Sequence, residues 1–291
     1  MCKNKQLIII MIIFSIFTTA PAYIYSEALP EMRVHFIDVG QGDSILIQTP
    51  SKKTILIDGG PPKAGKKVVS FLESKQIKTI DLLIATHPDI DHIGGLPQVM
   101  KSVKVKQILD SGKLHSTKTY ARYINQIYKQ DIPIKIAKKN EHITVDSMLK
   151  IKVLNTYEKN KSNNQSSIVL KISFKEIDML LMSDVEIEQE KSLLESQDLQ
   201  SEIIKVAHHG SNTSTSLGFL QEVNPQIAIL TYSKENDFGH PVDRVVENLY
   251  KVNATIYSTA AFGNVEIRTN GMDYFVIPQR DPINNLEDNA G

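Results

Sequence analysis

Cysteine is almost absent from this chain of 291 residues: Cys2 is the only one. It precedes the apolar run of the N-terminus rather than following it, where a lipoprotein cysteine would sit. Once a leader is removed, nothing remains to form a disulfide or a thiolate ligand. The fold must then be held by packing and by metal bound through nitrogen and oxygen. Net charge is lacking as well: 33 Lys and Arg balance 33 Asp and Glu. Bulk electrostatics therefore give no pull toward nucleic acid, and such a role needs a local basic patch. Internal repeats and low-complexity segments are also absent. The apolar stretch Leu7 to Phe17 has eleven residues, short for a hydrocarbon core of about 30 Å.

Lys3 and Lys5 precede that stretch and Ala20-Pro21-Ala22 follows it, which is the pattern of a secretory leader. Residues 1–26 are read as a signal peptide or, if uncleaved, an N-terminal anchor. The remainder is then secreted, or held at the outer face of the plasma membrane through that segment alone. Residues 27–280 form the functional domain, and the polar residues 281–291 a frayed tail. With 41% hydrophobic residues, the chain can bury a full core.

Alternation marks strands over Arg33–Gly40, Ser44–Gln48 and Thr54–Asp58, joined by short turns as an antiparallel start. Helical spacing follows at Lys66–Lys75, a strand at Ile80–Ala85, and helices at Gly94–Lys101 and Thr119–Gln130. Later strands are expected at Met148–Asn155, Ser167–Phe174, Met179–Ser183, Ile203–Ala207, Ile227–Tyr232 and Thr255–Ser258, with helices at Glu186–Glu195 and Asp243–Lys251. Strands and helices interleaved in both halves predict two face-to-face sheets with helices outside.

Eight histidines are few enough for their placement to matter. His87, Asp89, Asp91 and His92 fall within six residues, directly after the buried strand ending at Ala85. Imidazole and carboxylate in one active-site loop suit a hard or borderline cation such as zinc or manganese. Other strands also end on ligand-type residues: Asp184 after Leu180-Leu181-Met182-Ser183, and His208-His209 after Ile203–Ala207. His240, in Gly239-His240-Pro241, is a further candidate. His35, His115 and His142 lack such settings and are left to surface or core roles.

These segments together resemble the metallo-β-lactamase-fold hydrolases, and among them the ComEC-type metallohydrolase domain of competence DNA-uptake proteins. The resemblance runs through His35–Ser44, Leu56-Ile57-Asp58-Gly59-Gly60, His87–Gly95, Ser167–Leu170, Met182-Ser183-Asp184, Lys205–Ser211 and Gly239-His240-Pro241, from about Met32 to Pro278. It implies an α/β (α+β) fold, a four-layer αββα sandwich, with a dinuclear site at one edge of the paired sheets. His87 and Asp89 would hold one metal and Asp91 and His92 the other. Asp184 would bridge them and His208 would complete the second site. Asp91 also counts among the catalytic residues, with His209 and His240 left for protonating a leaving group or binding phosphate. Strand alternation would send His208 and His209 opposite ways, whereas a turn at Gly210 could bring both in.

Two departures from the commoner pattern stand out. Asp89 occupies a position where most of the superfamily has histidine, which favours oxygen-loving manganese beside zinc. The usual third histidine has no counterpart in Asn163–Ser167. The implied reaction is hydrolysis of a phosphodiester, in DNA, by a hydroxide activated between two divalent ions. A cell-wall polymer diester, as cut by the related phosphorylcholine esterases, is the alternative substrate. A non-catalytic extracellular binding module of the same fold is the alternative of a different class. Lys63, Lys66 and Lys67, and the polar run Ser211–Thr215, are the candidate phosphate contacts.

Overall fold

The computed structural model describes residues 29–282. The leader, and the tail beyond its first two residues, lie outside them. In the first half, β1 (Met32–Phe36), β2 (Ile45–Gln48) and β3 (Thr54–Ile57) form the expected antiparallel start. They are followed by α1 (Gly65–Ser74), β4 (Thr79–Ile80), β5 (Leu82–Ala85), α2 (Ile90–Ile93), α3 (Leu96–Ser102), β6 (Lys104–Val105), β7 (Ile108–Asp110), α4 (Lys118–Gln130) and β8 (Ile134–Ile136). The second half runs β9 (His142–Ile143), β10 (Lys150–Asn155), β11 (Val169–Phe174), β12 (Ile177–Leu181), α5 (Ile187–Ser196), β13 (Ile203–Lys205), α6 (Leu217–Val223) and β14 (Ile227–Leu230). It ends with α7 (Asp243–Lys251), β15 (Thr255–Ser258), α8 (Thr259–Phe262), β16 (Val265–Thr269) and β17 (Tyr274–Pro278).

Pairing produces an eight-stranded sheet, β17-β16-β1-β2-β3-β5-β7-β8, and a seven-stranded sheet, β15-β14-β13-β12-β11-β10-β9. Period-two alternation decides which face each side chain serves. On β2, Ile45 and Ile47 join the cluster between the sheets while Leu46 faces the helices, and Ile55, Ile57 and Leu56 repeat this on β3. In the second sheet Met179 and Leu181 point inward and Leu180 outward, as do Ile227 and Ile229 against Ala228 and Leu230. One outer cluster lies under α1, α3 and α4, through Val68, Leu72, Val99 and Tyr123. The other lies under α5, α6 and α7, through Leu193, Phe219 and Leu249. Strands buried on both faces need unbroken apolar runs, which is why Leu82–Ala85 and Ile227–Leu230 carry no polar residue. The result is the four-layer αββα sandwich. No helix among the described residues is long and apolar enough to cross a membrane.

Strands β3 and β5 run parallel in one sheet, and β12, β13 and β14 in the other. Their C-terminal ends open onto one edge, where open α/β sheets present ligand sites. One expectation is corrected there. The helix does not begin at Gly94: the backbone N–H groups of His92 and Ile93 already donate to the Asp89 carbonyl, at 3.1 and 3.0 Å. Asp91 and His92 therefore sit on a helical turn, not on an extended loop. The strand expected from Met148 likewise begins later, with β10 starting at Lys150.

Candidate metal centre

Every donor enters this edge from a strand end or the turn after one. His87 follows β5, Asp184 follows β12, and His208 and His209 follow β13. Asp184 lies at the middle. Its Oδ2 is 3.2 Å from His92 Nε2, 3.4 Å from His209 Nε2 and 3.9 Å from His87 Nε2. His209 Nε2 is also 3.4 Å from Asp91 Oδ2, and His87 Nε2 is 3.6 Å from Asp89 Oδ2. Four overlapping ligand groups result, His87-His92-Asp184, Asp91-His92-His209, Asp43-Asp184-His209 and Asp43-Asp58-His92.

Buried polar atoms are almost always paired, because an unpaired one costs a few kcal/mol. Here His87 Nε2, His92 Nε2, His209 Nε2 and Asp184 Oδ1 are buried without a hydrogen-bond partner. All four belong to this cluster. A divalent cation satisfies such donors together, and an imidazole–carboxylate set suits zinc or manganese. The residues present therefore fit the metal site that the pattern implied.

The far nitrogens are held by the protein, as in ligand histidines generally. Asp58 Oδ2 lies 2.8 Å from His92 Nδ1, and the same carboxylate accepts from Thr86 N and Oγ1 at 2.9 and 2.6 Å. His209 Nδ1 lies 2.7 Å from the Thr231 carbonyl. His87 Nδ1 lies 3.1 Å from Thr86 Oγ1. Burial pushes His87 down to about 3. Burial also disfavours protonated His92 and His209, but Asp184 and the other carboxylates outweigh it, raising His92 well above its ordinary value and His209 to about 9. Burial alone would raise Asp91 and Asp184, but the neighbouring histidines hold both below the usual carboxylate range. The same negative field draws a cation.

The adjacent histidines separate. Both take left-handed backbone angles, φ 49° at His208 and 54° at His209, so the strand stops at Lys205 and the chain turns. His209 is buried with its Nε2 in the cluster. His208 is part-exposed, its Nε2 3.9 Å from Asp184 Oδ2 and 3.3 Å from Asn164 Nδ2, its Nδ1 3.2 Å from Thr213 Oγ1. His240 lies beyond it, ring centroids 5.7 Å apart. Asp89 Oδ1 accepts from Asn163 Nδ2 at 2.6 Å. Asn163 and Asn164 thus occupy the stretch that lacks a third histidine, and they brace Asp89 and His208.

A cleft of about 470 Å³ opens above, lined among others by Asp89, Asp91, Asp184, His208, His209 and His240. His115, set aside in the sequence, also lines it. Lys63, Lys66 and Lys67 do not, and Lys67 instead pairs with Asp38 at 3.0 Å. None of the Ser211–Thr215 run lines the cleft: Ser211, Ser214 and Thr215 are buried while Asn212 and Thr213 are exposed. Ser214 Oγ donates to the Ala207 carbonyl, and Arg244 clasps the carbonyls of Asn212, Ser214 and Thr215. Asp58, Asp43 and Lys205 are the residues that sequence reasoning passed over. The Asp58-Gly59-Gly60 turn at the end of β3 was the available signal, since a polar turn closing a buried strand points at the same edge.

A profile described as the metallo-beta-lactamase superfamily matches residues 37–230. The chain belongs to that superfamily. Curated relatives include ComE operon protein 3 of Bacillus subtilis, 29% identical over 84% of this chain and 34% of that protein. Recombination protein 2 of Haemophilus influenzae is 23% identical over 91% of this chain and 32% of its own length. The chain thus spans about a third of the length of these relatives. Among solved structures, the metallo-beta-lactamase fold protein YhfI of Bacillus subtilis aligns with a TM-score of 0.55 at 13% identity, covering 85% of this chain and 100% of that one. This superfamily member is similar to these two relatives over 84% and 91% of its length.

Proposed function

We propose that the chain is a divalent-metal-dependent phosphodiesterase acting on DNA. The observation that carries this reading is the buried convergence of unpartnered His87, His92 and His209 Nε2 atoms on Asp184. The names of the competence and recombination relatives support nucleic acid as the substrate. In this reading His87 and Asp89 hold one cation, Asp91, His92 and His209 the other, and Asp184 lies between them. His209 thus takes the ligand role first given to His208. Bound there, two divalent ions would supply Lewis acidity and a water of lowered pKa.

The chain's own residues supply orientation and hydrogen bonds. Asp58 and the Thr231 carbonyl fix the tautomers of His92 and His209, so that each presents Nε2. Burial lowers His208 and His240 below the ordinary histidine value, so both face the cleft as neutral imidazoles near pH 7. A neutral His240 ring would offer its N–H as a hydrogen bond to a phosphate oxygen, while His208 Nε2 accepts from Asn164 Nδ2 at 3.3 Å. Residues 1–26, read as leader or anchor, would place this activity outside the cell or at the outer face of its membrane.

Full-length protein supplied with manganese or zinc should hydrolyse bis(p-nitrophenyl) phosphate, and Asp184→Asn should reduce turnover at least about 100-fold while lowering bound metal. Metal content near zero in carefully purified protein, with no turnover under either ion, would overturn the enzyme reading in favour of a binding module.

A further inference from the structure

The cleft has two kinds of wall. Its floor carries the carboxylates and histidines, while Ile90 and Phe238 stand at its rim, 55% and 67% exposed. Among the described residues, no lysine or arginine lines it. Proteins that grip nucleic acid through its phosphates place cations along the path. This cleft offers an aromatic ring instead.

The turn that carries Phe238 is braced from within. Asn236 Oδ1 accepts from the backbone N–H groups of Phe238 and His240 at 3.1 and 3.0 Å, and Asn236 Nδ2 donates to the Ser233 and His240 carbonyls, both at 2.8 Å. One side chain thus cross-braces the whole turn. The Phe238 ring stacks near-parallel to His240, centroids 5.6 Å apart at 25°. His240 contacts His208 in turn, and His208 Nε2 lies 3.9 Å from Asp184. A planar group on Phe238 is therefore separated from the metal-binding floor by two histidine rings.

We infer that Phe238 is the seat of a nucleobase flanking the scissile phosphodiester, and that the substrate presents that base unpaired. The inference rests on the phosphodiesterase reading and narrows its substrate to single-stranded nucleic acid. Stacking on an aromatic side chain is tolerant of base identity and needs one open ring face. A base inside a duplex has both faces covered and must be extruded first. A quaternary ammonium, such as a choline ester, is gripped best by several aromatic faces around it, and Phe238 is the one phenylalanine among the described residues that lines this cleft.

The test uses full-length protein with zinc and a nuclease-resistant phosphorothioate trinucleotide carrying 2-aminopurine, whose fluorescence is quenched on stacking. Wild type and Phe238→Tyr should quench it. Phe238→Ala and Phe238→Leu should weaken binding about tenfold or more, and an abasic trinucleotide should bind wild type as weakly as the intact one binds Phe238→Ala. Raising salt from about 50 to about 200 mM should change Kd only a few-fold, since few phosphate charges are neutralised. Undiminished binding by Phe238→Ala, equal binding of the abasic ligand, or displacement by glycerophosphocholine at lower concentration than by a mononucleotide would overturn the seat. Stacking of this probe, with no hydrolysis of the unmodified trinucleotide under any metal, would leave the seat and remove the phosphodiesterase reading. Hydrolysis with Phe238-independent binding would do the reverse.

Discussion

At Lys205 an ammonium with no exposed side-chain surface lies 2.5 Å from Asp43 Oδ2, while Asp43 Oδ1 accepts from Thr231 Oγ1 at 2.5 Å. Thr231 also holds His209 through its carbonyl, so the pair lies directly behind a ligand. Burial alone would raise the Asp43 pKa, but Lys205 together with His209 and His92 outweighs it and the carboxyl stays below its ordinary value. Removing one partner of a buried pair leaves an uncompensated charge, at a cost of about 3–5 kcal/mol, whereas replacing both is often neutral. Lys205→Met should therefore lower the urea midpoint strongly, and Lys205→Met with Asp43→Asn should recover most of it. Equal midpoints for the single and double variants would contradict the pairing. A second residue argues from pH. His35 is 2% exposed and bonded to Gln48 Oε1 at 3.1 Å, and burial lowers it to about 4 against 6.5 unfolded. The unfolded chain binds this proton first, so the stability His35 contributes is present above pH 6.5 and is lost as pH falls from there toward 4. At pH 5 the loss relative to pH 8 amounts to about 2 kcal/mol. His35→Gln should show a stability difference between those pH values smaller by that amount in denaturant titrations.

Among the elements, α2 is the one whose placement decides the site, and glycines set how closely its neighbours approach. Gly42, at φ +125°, would bring a Cβ to 2.1 Å from the Asp91 carbonyl oxygen, and Gly95 to 2.0 Å from that of Gly59. Asp43 N donates to the Asp91 carbonyl at 3.2 Å, so the Gly42 turn docks directly on the helical turn that carries Asp91 and His92. Gly42→Ala should cost about 1–3 kcal/mol through strain alone. It should also lower metal stoichiometry by shifting Asp91, which metal analysis and thermal unfolding of the same sample would register together. A variant that unfolds earlier yet binds metal fully would show the turn to be structural only. Such docking through single residues lies beyond the reach of sequence periodicity. Strands buried on both faces, such as β5 and β14, stood out as unbroken apolar runs. The four residues of α2 are too few for any helical period, so the turn looked like a loop. The β16–β17 hairpin was legible in principle, with Val265, Ile267 and Thr269 alternating before Asn270-Gly271, a turn dipeptide. His208 and His209 could not be told apart because their separation depends on two consecutive left-handed residues, uncommon for any residue other than glycine.

Over the whole molecule, the centre is a joint between two sheets whose shared interior is mostly apolar, with the Lys205–Asp43 pair beside it. His87, Asp89, Asp91 and His92 descend from the eight-stranded sheet, while Asp184 and His209 come from the seven-stranded one. Neutral bonds cross the same joint: Ser183 Oγ to Thr86 Oγ1 at 2.9 Å and Ile168 N to the Thr86 carbonyl at 3.0 Å. A cation held from both sides binds the folded state and has no comparable site in the unfolded chain. It should then stabilise by about 2.7 kcal/mol at a free concentration about 100 times its Kd. Calorimetry with zinc or manganese against chelator should accordingly show a concentration-dependent rise of the unfolding temperature for the protein. Asp184→Asn removes the one carboxylate that reaches His87, His92 and His209 together, so its unfolding temperature should respond little to either ion. Asp58→Asn keeps all the ligands and weakens the acceptor behind His92 and Thr86, so it should keep the rise but require about 10–100-fold more metal to reach it. A full metal response that survives both Asp184→Asn and His209→Ala would place the cation on one sheet alone and dissolve the joint as the basis of the site.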